Sequence, residues 1–301
     1  MESNQKTFAR PLGRNVDELS TSASKSSFSI LQWNTLSSHL TNTFPKANPE
    51  HLVTPYRQPL LAQELKAYSP DFVCLEEVNQ DDVEFFKAVF DSTKYSSIYQ
   101  IKHQGKDGLF FLYNQEKYEL VKSDCQGYID LEKNTKQSQV FQVNIFKHRD
   151  EEKEGKSYLL IAFTHLKAKE PFTAIRLEQV KQLVKIVEEA KRSFIESQKE
   201  ADAKLGVVIC GDFNDVPTSE PIKYLEQATK FKSAYEEITF TTFKIREKVQ
   251  KRVIDYVFYN ENLQLIAKSN IPTEETIGEN GLPNAEYPSD HLSLFCKFVY
   301  N

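Results

Sequence analysis

The feature that most constrains this chain is a series of short apolar, β-branched or aromatic runs, too short for helices and repeated along most of its length. They read FSILQW, DFVCLE, GLFFLY, QVFQVNIF, YLLIAFTH, GVVICGD, RVIDYVFY and HLSLFCKFVY. Each has the length and composition of a strand. Helical patterns lie between some of them. PLLAQELKAYS is one, and NQDDVEFFKAVFDS is another, with Asn79 as N-cap and acids in the first turn. The longest pattern, over 172–200, places Ile175, Val180, Leu183, Val184 and Val187 on one face and charge on the other. A further helix is expected after Thr218 or Ser219, with Pro221 in its first turn. Strands outnumber helices, and only some connections are long enough for parallel crossovers. Mixed sheets flanked by helices fit this pattern better than a pure doubly wound sheet.

The runs carry enough apolar surface for a sizeable core, since 40% of the 301 residues are hydrophobic. The Ser/Thr-rich stretch Ser20–Ser27 can bury almost nothing, so residues 1–27 are expected to form a flexible tail and 28–301 one catalytic domain. KTFARPLGR followed by STSASKSS has some character of a mitochondrial presequence, but Glu2, Asp17 and Glu18 break it, and the cytosol is the expected location. No apolar run approaches the ~18 residues of a membrane span. A net charge of −5 gives no overall basic field for a long polyanion, so any nucleic-acid site must be local. Cys74, Cys125, Cys210 and Cys296 are far apart and form no C-x-x-C pair, which argues against a zinc knuckle or a disulfide framework.

Several of the apolar runs end in an amide, an acid or an imidazole. Asn34 follows SILQW, Glu76 and Glu77 close FVCLEE, His165 closes LLIAFTH, and Asp212 and Asn214 close VVICGDFN. Asp255 sits inside RVIDYVFY, and Asp290 and His291 stand just before the last run. Strand ends in α/β folds gather at one sheet edge, so these residues can converge. Taken singly, Asn34 also suits a turn and His165 a satisfied core histidine. Glu76 and Glu77, being adjacent, point to opposite faces of a strand, and at most one should face a shared site. Asp212 and Asn214 share a face, and Gly211 before them permits close backbone approach. A carboxylate at Asp255 inside an apolar run needs a partner, and His291 is a natural one.

Carboxylates and an amide oxygen, without thiolates or a two-histidine zinc spacing, make an oxygen-rich pocket suited to Mg²⁺ or Mn²⁺. A histidine backed by an aspartate can stay protonated beside developing negative charge, and Asp212 with Asn214 can hold a water and a phosphate oxygen. Together these describe metal-assisted attack of water on a phosphoester. No G-x-S-x-G, Walker loop or G-x-G-x-x-G is present in the chain.

The ordered set QWN, LEEV, THLK, GDFND, RVIDYVF and PSDHL, spanning residues 32–292, resembles the endonuclease/exonuclease/phosphatase superfamily, the pancreatic-DNase-like metal phosphoesterases. That resemblance implies an α/β fold, a four-layer α/β sandwich of two mixed sheets face to face with helices outside. It implies Asn34 and Glu77 at the metal, with Asp290 as an additional ligand. It further implies Asp212 and Asn214 handling water and phosphate, His291 facing phosphate and oriented by Asp255, and His165 as a second phosphate contact. Where the family pattern reads Gln-Glu-Val, this chain has Glu76-Glu77-Val78. Within the superfamily, THLKAK, FTTFKIR and IGENGLPNAEYPSDHLSL resemble the deadenylase-related branch and its nocturnin group. The group implies hydrolysis of the 2′-phosphate of NADP(H), and the wider branch implies 3′→5′ removal of nucleotides from an RNA 3′ end. Arg246, Arg176 and Lys102 are the expected substrate contacts, with Tyr56 and Arg57 as further candidates for the pocket wall. No obligate protein partner and no membrane association are expected.

Overall fold

The computed structural model describes residues 11–20, 27–149, 157–197 and 204–301. Its strands are β1 (Val16–Glu18), β2 (Ser27–Asn34), β3 (Phe72–Asn79), β4 (Tyr95–Ile101), β5 (Asp107–Asn114), β6 (Tyr118–Asp130), β7 (Thr135–His148) and β8 (Ser157–His165). They continue with β9 (Lys204–Asp212), β10 (Lys232–Ser233), β11 (Thr242–Ile245), β12 (Val249–Arg252), β13 (Asp255–Tyr259), β14 (Leu263–Ser269) and β15 (Leu294–Tyr300). One mixed sheet has the order β1-β14-β15-β2-β3-β5-β4 and the other β10-β13-β9-β8-β7-β6, while β11 and β12 form a separate hairpin. The parallel pairs are β2 with β3 and β8 with β9. Each needs a crossover, which α1 (Thr54–Tyr68) and α3 (Thr173–Ser197) supply.

Alternation along the strands sorts side chains into layers. Phe28 and Ile30 of β2, Phe72 and Cys74 of β3, Val208 and Cys210 of β9 and Val257 of β13 fill the space between the sheets. Their sequence neighbours face outward. Leu31, Val73 and Leu75 pack under Leu61 and Leu65 of α1 and Phe86 of α2 (Val83–Val89). On the other sheet, Val207, Ile209 and Phe258 pack under Val180, Leu183, Val184 and Val187 of α3 and Leu225 of α4 (Glu220–Thr229). The result is helix, sheet, sheet, helix: a four-layer α/β sandwich. Among the described residues no helix is long and apolar enough to cross a membrane.

Three local expectations change. Asn79 makes no capping hydrogen bond; it accepts from Ser37 Oγ at 2.5 Å and donates to Asp82 at 2.6 Å, so a tertiary contact takes the side chain the cap would have used. α1 begins at Thr54, several residues before the expected start, with Pro55 in its first turn and Pro59 inside it.

The third change concerns the segment expected to be a tail. Where described, it is part of the fold: β1 pairs with β14, and Arg14 is 2% exposed. Its guanidinium donates to Glu64 Oε1 at 3.0 Å, Ser269 Oγ at 2.9 Å, Ser293 Oγ at 2.8 Å and the carbonyls of Asn270 and Ser293. Serine content forecasts little apolar burial, but it is blind to a buried, fully partnered arginine. Residues 1–10 and 21–26, the rest of that expected tail, lie outside the described residues. Arg14→Met should cost ~3–5 kcal/mol by leaving Glu64 buried and unpaired, and Arg14→Met/Glu64→Leu should recover part of the loss. Urea unfolding of both variants checks this, and an effect under ~0.5 kcal/mol is what a surface tail would give.

Candidate active site

Two rows of strand-end residues meet where the sheets face each other. In the second sheet His165 of β8 stands opposite Asp212 of β9, which stands opposite Asp255 of β13. In the first sheet Asn34 of β2 stands beside Glu76 of β3. Asn34 joins the rows: its amide nitrogen donates to Asp212 Oδ2 at 3.0 Å and to Glu77 Oε1 at 3.2 Å. Close approach of β8 to β9 demands Gly211, whose φ is +143° and where a Cβ would sit 1.9 Å from the Thr164 carbonyl oxygen.

The adjacent acids Glu76 and Glu77 are separated by a backbone irregularity. The register of β3 against β5 shifts between Leu75 and Val78, and Glu77 takes a left-handed φ of +58°. Left-handed backbone at a non-glycine residue is uncommon and concentrates at functional sites. The bulge carries Glu77 into the site, where Oε2 accepts from the Ser37 N–H at 3.0 Å. Glu76 keeps strand alternation and points between the sheets, fully buried, with Gln32 Nε2 donating to both its oxygens at 3.0 and 3.1 Å. The same Gln32 nitrogen reaches Asp255 Oδ1 at 3.3 Å. Both acids therefore belong to one network, where strand alternation alone allowed only one.

His291 Nδ1 lies 2.9 Å from Asp255 Oδ2, which also accepts from Thr241 Oγ1 at 2.6 Å. Burial pulls the imidazole pKa down, but Asp255, Asp290 and Asp212 more than offset this and raise it to about 9, so His291 is a cation at neutral pH. His165 is the opposite case. Burial, with the charges of Lys102 and His291, holds it well below its ordinary value, and it stays neutral. Its Nε2 is 3.5 Å from Asp212 Oδ2, and its buried Nδ1 has no hydrogen-bond partner among the described residues. Burial and the adjacent Asp255 push Asp212 up to about 7, against His291 and hydrogen bonds from Asn34 and the Asn214 N–H. Asn214, in left-handed backbone, donates its side-chain amide to the Leu166 carbonyl at 3.1 Å.

Asp290 is drawn to Lys244 Nζ at 2.8 Å and lies 3.7 Å from His291 Nε2. Burial opposes its ionisation, but Lys244, His291 and Arg246 hold its pKa below the ordinary carboxylate value. Two of the three expected substrate contacts are engaged with acids of the chain itself. Arg176 is 1% exposed and clamps the loop after β8 to the loop after β9, donating to Asp215 at 2.7 Å and to the Lys167 and Lys169 carbonyls. Lys102 pairs with Asp107 at 2.5 Å. Arg246 packs over the Phe44 ring and donates to Thr43 Oγ1 at 2.9 Å. Gln32, Thr241 and Lys244 were not anticipated. For Lys244 a signal existed, because Thr242 and Lys244 alternate along FTTFKIR and so share a face.

Ligand-type atoms of Asp212, Asp255 and His291 lie within 4.8 Å of one another. Asp255 is already committed to His291, Thr241 and Gln32, so this trio reads as an ion-pair relay. The side better fitted to a divalent cation is the one with Glu77 and Asn34: Glu77 is half-buried, acceptor-only, and faces Asp212 across an amide. The carboxylates of Glu77 and Asp212 are the oxygen donors a hard cation takes, while the Asn34 oxygen accepts from the Leu36 N–H at 3.1 Å and would join them by a turn of its amide.

Fold and site together define a metal-dependent phosphoesterase architecture. The sequence signature of the endonuclease/exonuclease/phosphatase family matches residues 31–291. The chain belongs to that family. It is similar to nocturnin from Xenopus laevis, with 32% identity over 94% of this chain and 75% of that protein. It is also similar to nocturnin from Mus musculus, with 30% identity over 93% of this chain and 67% of that protein. In structure it is similar to ANGEL2, described as a 2′,3′-cyclic phosphatase and solved in complex with adenosine-2′,3′-vanadate. That likeness has a TM-score of 0.79 and 21% identity, covering 95% of this chain and 98% of that one. The protein is a phosphoester hydrolase of the nocturnin type.

Burial, together with Asp255 and Asp212, raises the Glu76 pKa well above the ordinary value, against the hydrogen bond from Gln32. A carboxyl raised on folding contributes stability below its unfolded pKa of ~4.3 and loses it as pH climbs through the folded value. Glu76→Gln should therefore melt close to the parent near pH 4.5 and progressively above it toward pH 8. Melting curves of both in EDTA check the trend, and a constant gap across that range refutes the assignment.

Proposed function

We propose that the chain is a Mg²⁺-dependent hydrolase of adenine-nucleotide phosphoesters and that its substrate is the 2′-phosphate of NADP(H). The observation that carries the reaction type is the opposition of a protonated His291, fixed by Asp255, to an ionisable Asp212 within one buried cleft edged by Glu77 and Asn34. Asp212 titrates close to neutrality, which suits a general base that takes the proton of the attacking water. His291 faces the phosphate as a donor and stabilises the charge developing on its oxygens. Neutral His165 and Asn214 supply further polar contacts to the phosphate. Glu77 and Asn34 would hold the metal, with Asp290, now paired to Lys244, as the additional ligand the family resemblance implies; the metal's chemistry is to polarise the phosphoester and neutralise its charge.

Choice of a compact substrate is supported by charge. The chain carries a net −5, and with Arg176 and Lys102 paired internally, Arg246 is the one of the three expected contacts without a direct ion pair among the described residues, a poor track for a polyanion. Similarity to nocturnins and to a structure holding an adenosine vanadate also favours an adenine nucleotide. The purified protein with Mg²⁺ should release phosphate from NADPH and leave an oligo(A) RNA intact. RNA shortening without phosphate release would instead assign it to the 3′→5′ exoribonucleases of its branch.

Asp212→Ala should lower turnover ~10²–10⁴-fold with little change in substrate affinity. His291→Ala and Asp255→Ala should be strongly non-additive, because an orienting carboxylate has little effect once its imidazole is gone. Steady-state kinetics on the single and double variants measure this, and additive losses would dissolve the pairing.

A further inference from the structure

Arg57, in the first turn of α1, is 3% exposed, and its hydrogen bonds go to main-chain carbonyls. Nε donates to the Pro288 carbonyl at 2.7 Å, and Nη2 donates to those of Thr35 at 2.5 Å and Leu36 at 2.6 Å. These carbonyls belong to the two loops that complete the cleft. The loop after β2 starts at Asn34 and supplies the Ser37 N–H held by Glu77, and the 288–291 loop carries Asp290 and His291. Ser289 Oγ bonds the Asn34 carbonyl at 2.6 Å, so Arg57 spans a seam where the loops already touch.

We propose that Arg57 is a positioning residue that clamps these loops and thereby sets Asn34 and Glu77 against His291. This rests on reading the cleft as a divalent-metal site. Three carbonyls on two separate loops require several donors in fixed directions, which a guanidinium has and an ammonium lacks. The cost of burying the charge is visible in its pKa, brought to about 10 by desolvation against the pull of Asp290, Asp82 and Glu77. An apolar side chain would avoid that cost, and what it could not do is hold the carbonyls. Leu36, one of the residues held, has a left-handed φ of +60°, a conformation that persists only when its surroundings enforce it.

Metal affinity gives a decisive sign. If Arg57 acts only through its charge, Arg57→Met removes a cation near Glu77 and Asp290 and binds Mn²⁺ more tightly. If it positions the donors, the variant binds Mn²⁺ about 10–100-fold more weakly, the usual cost of losing a residue that orients metal ligands. Titration of the full chain with Mn²⁺ by calorimetry, without substrate, measures this. Arg14→Met, an equally buried arginine outside the cleft, should lose stability and keep the parental Mn²⁺ affinity. Arg57→Lys, the variant to use should Arg57→Met fail to fold, should be weakened several-fold. Equal or tighter binding by either Arg57 variant overturns the clamp. A parent that binds no Mn²⁺ instead overturns the reading of the cleft on which the clamp depends.

Discussion

The interaction on which the site depends is the crowding of negative charge at the edge where the two sheets meet. Asp212, Asp255, Asp290 and Glu76 are buried there, with Glu77 half-buried beside them. Carboxylates in such proximity cannot all ionise without positive partners. The structure supplies these unevenly. Lys244 serves Asp290 and His291 serves Asp255 at 2.9 Å, whereas Glu77 and Asp212 share the neutral amide of Asn34 and otherwise accept from the Ser37 and Asn214 N–H groups, with His291 Nε2 no nearer to Asp212 than 3.9 Å. The unmet charge is thus concentrated on the side where a divalent cation would stand, and the same field keeps His291 protonated. Metal preference and imidazolium state are two consequences of one arrangement.

That arrangement is cheap in backbone terms because the fold supplies most of it. Rows of residues across β8, β9 and β13 fall into register by strand pairing alone, so His165, Asp212 and Asp255 need no special loop. Apart from Gly211, which the close β8–β9 pairing demands, the departures lie at residues whose position pairing cannot set. Leu36, Glu77 and Asn214 have left-handed backbone, each on a loop or bulge beside the site. Strain of order 1–3 kcal/mol at such positions is tolerable only in a molecule with a large core, and here three separate apolar layers supply one.

The legible part of the sequence follows the same division. Strands buried on both faces, such as β2, β3, β8 and β9, carry continuous apolar runs, and their ends pointed to the polar residues that the structure brings together. β1, β4, β6 and β10 carry no such run because each is an edge strand, partly exposed, for which hydrogen bonding to one neighbour suffices. Arg14 and Arg176 were illegible for a related reason. Arginine in a sequence suggests surface or substrate, and only tertiary partners reveal a buried guanidinium serving as an internal tie.

Glu76 shows how a one-residue departure is absorbed. A glutamate here, in place of the glutamine of the family pattern, adds an acid to a region already rich in them. It is accommodated because Glu76 lies on the strand face turned away from Glu77, behind Gln32, where burial disfavours the charged form. Gln32 then hydrogen-bonds two acids at once, Glu76 and Asp255, and so couples this buried carboxyl to the group that orients His291. Burial, which disfavours the charged form of Glu76, also lessens the repulsion between it and the neighbouring Asp255. The extra acid therefore acts on the site through its hydrogen-bond partner, and its own charge is the part the fold suppresses.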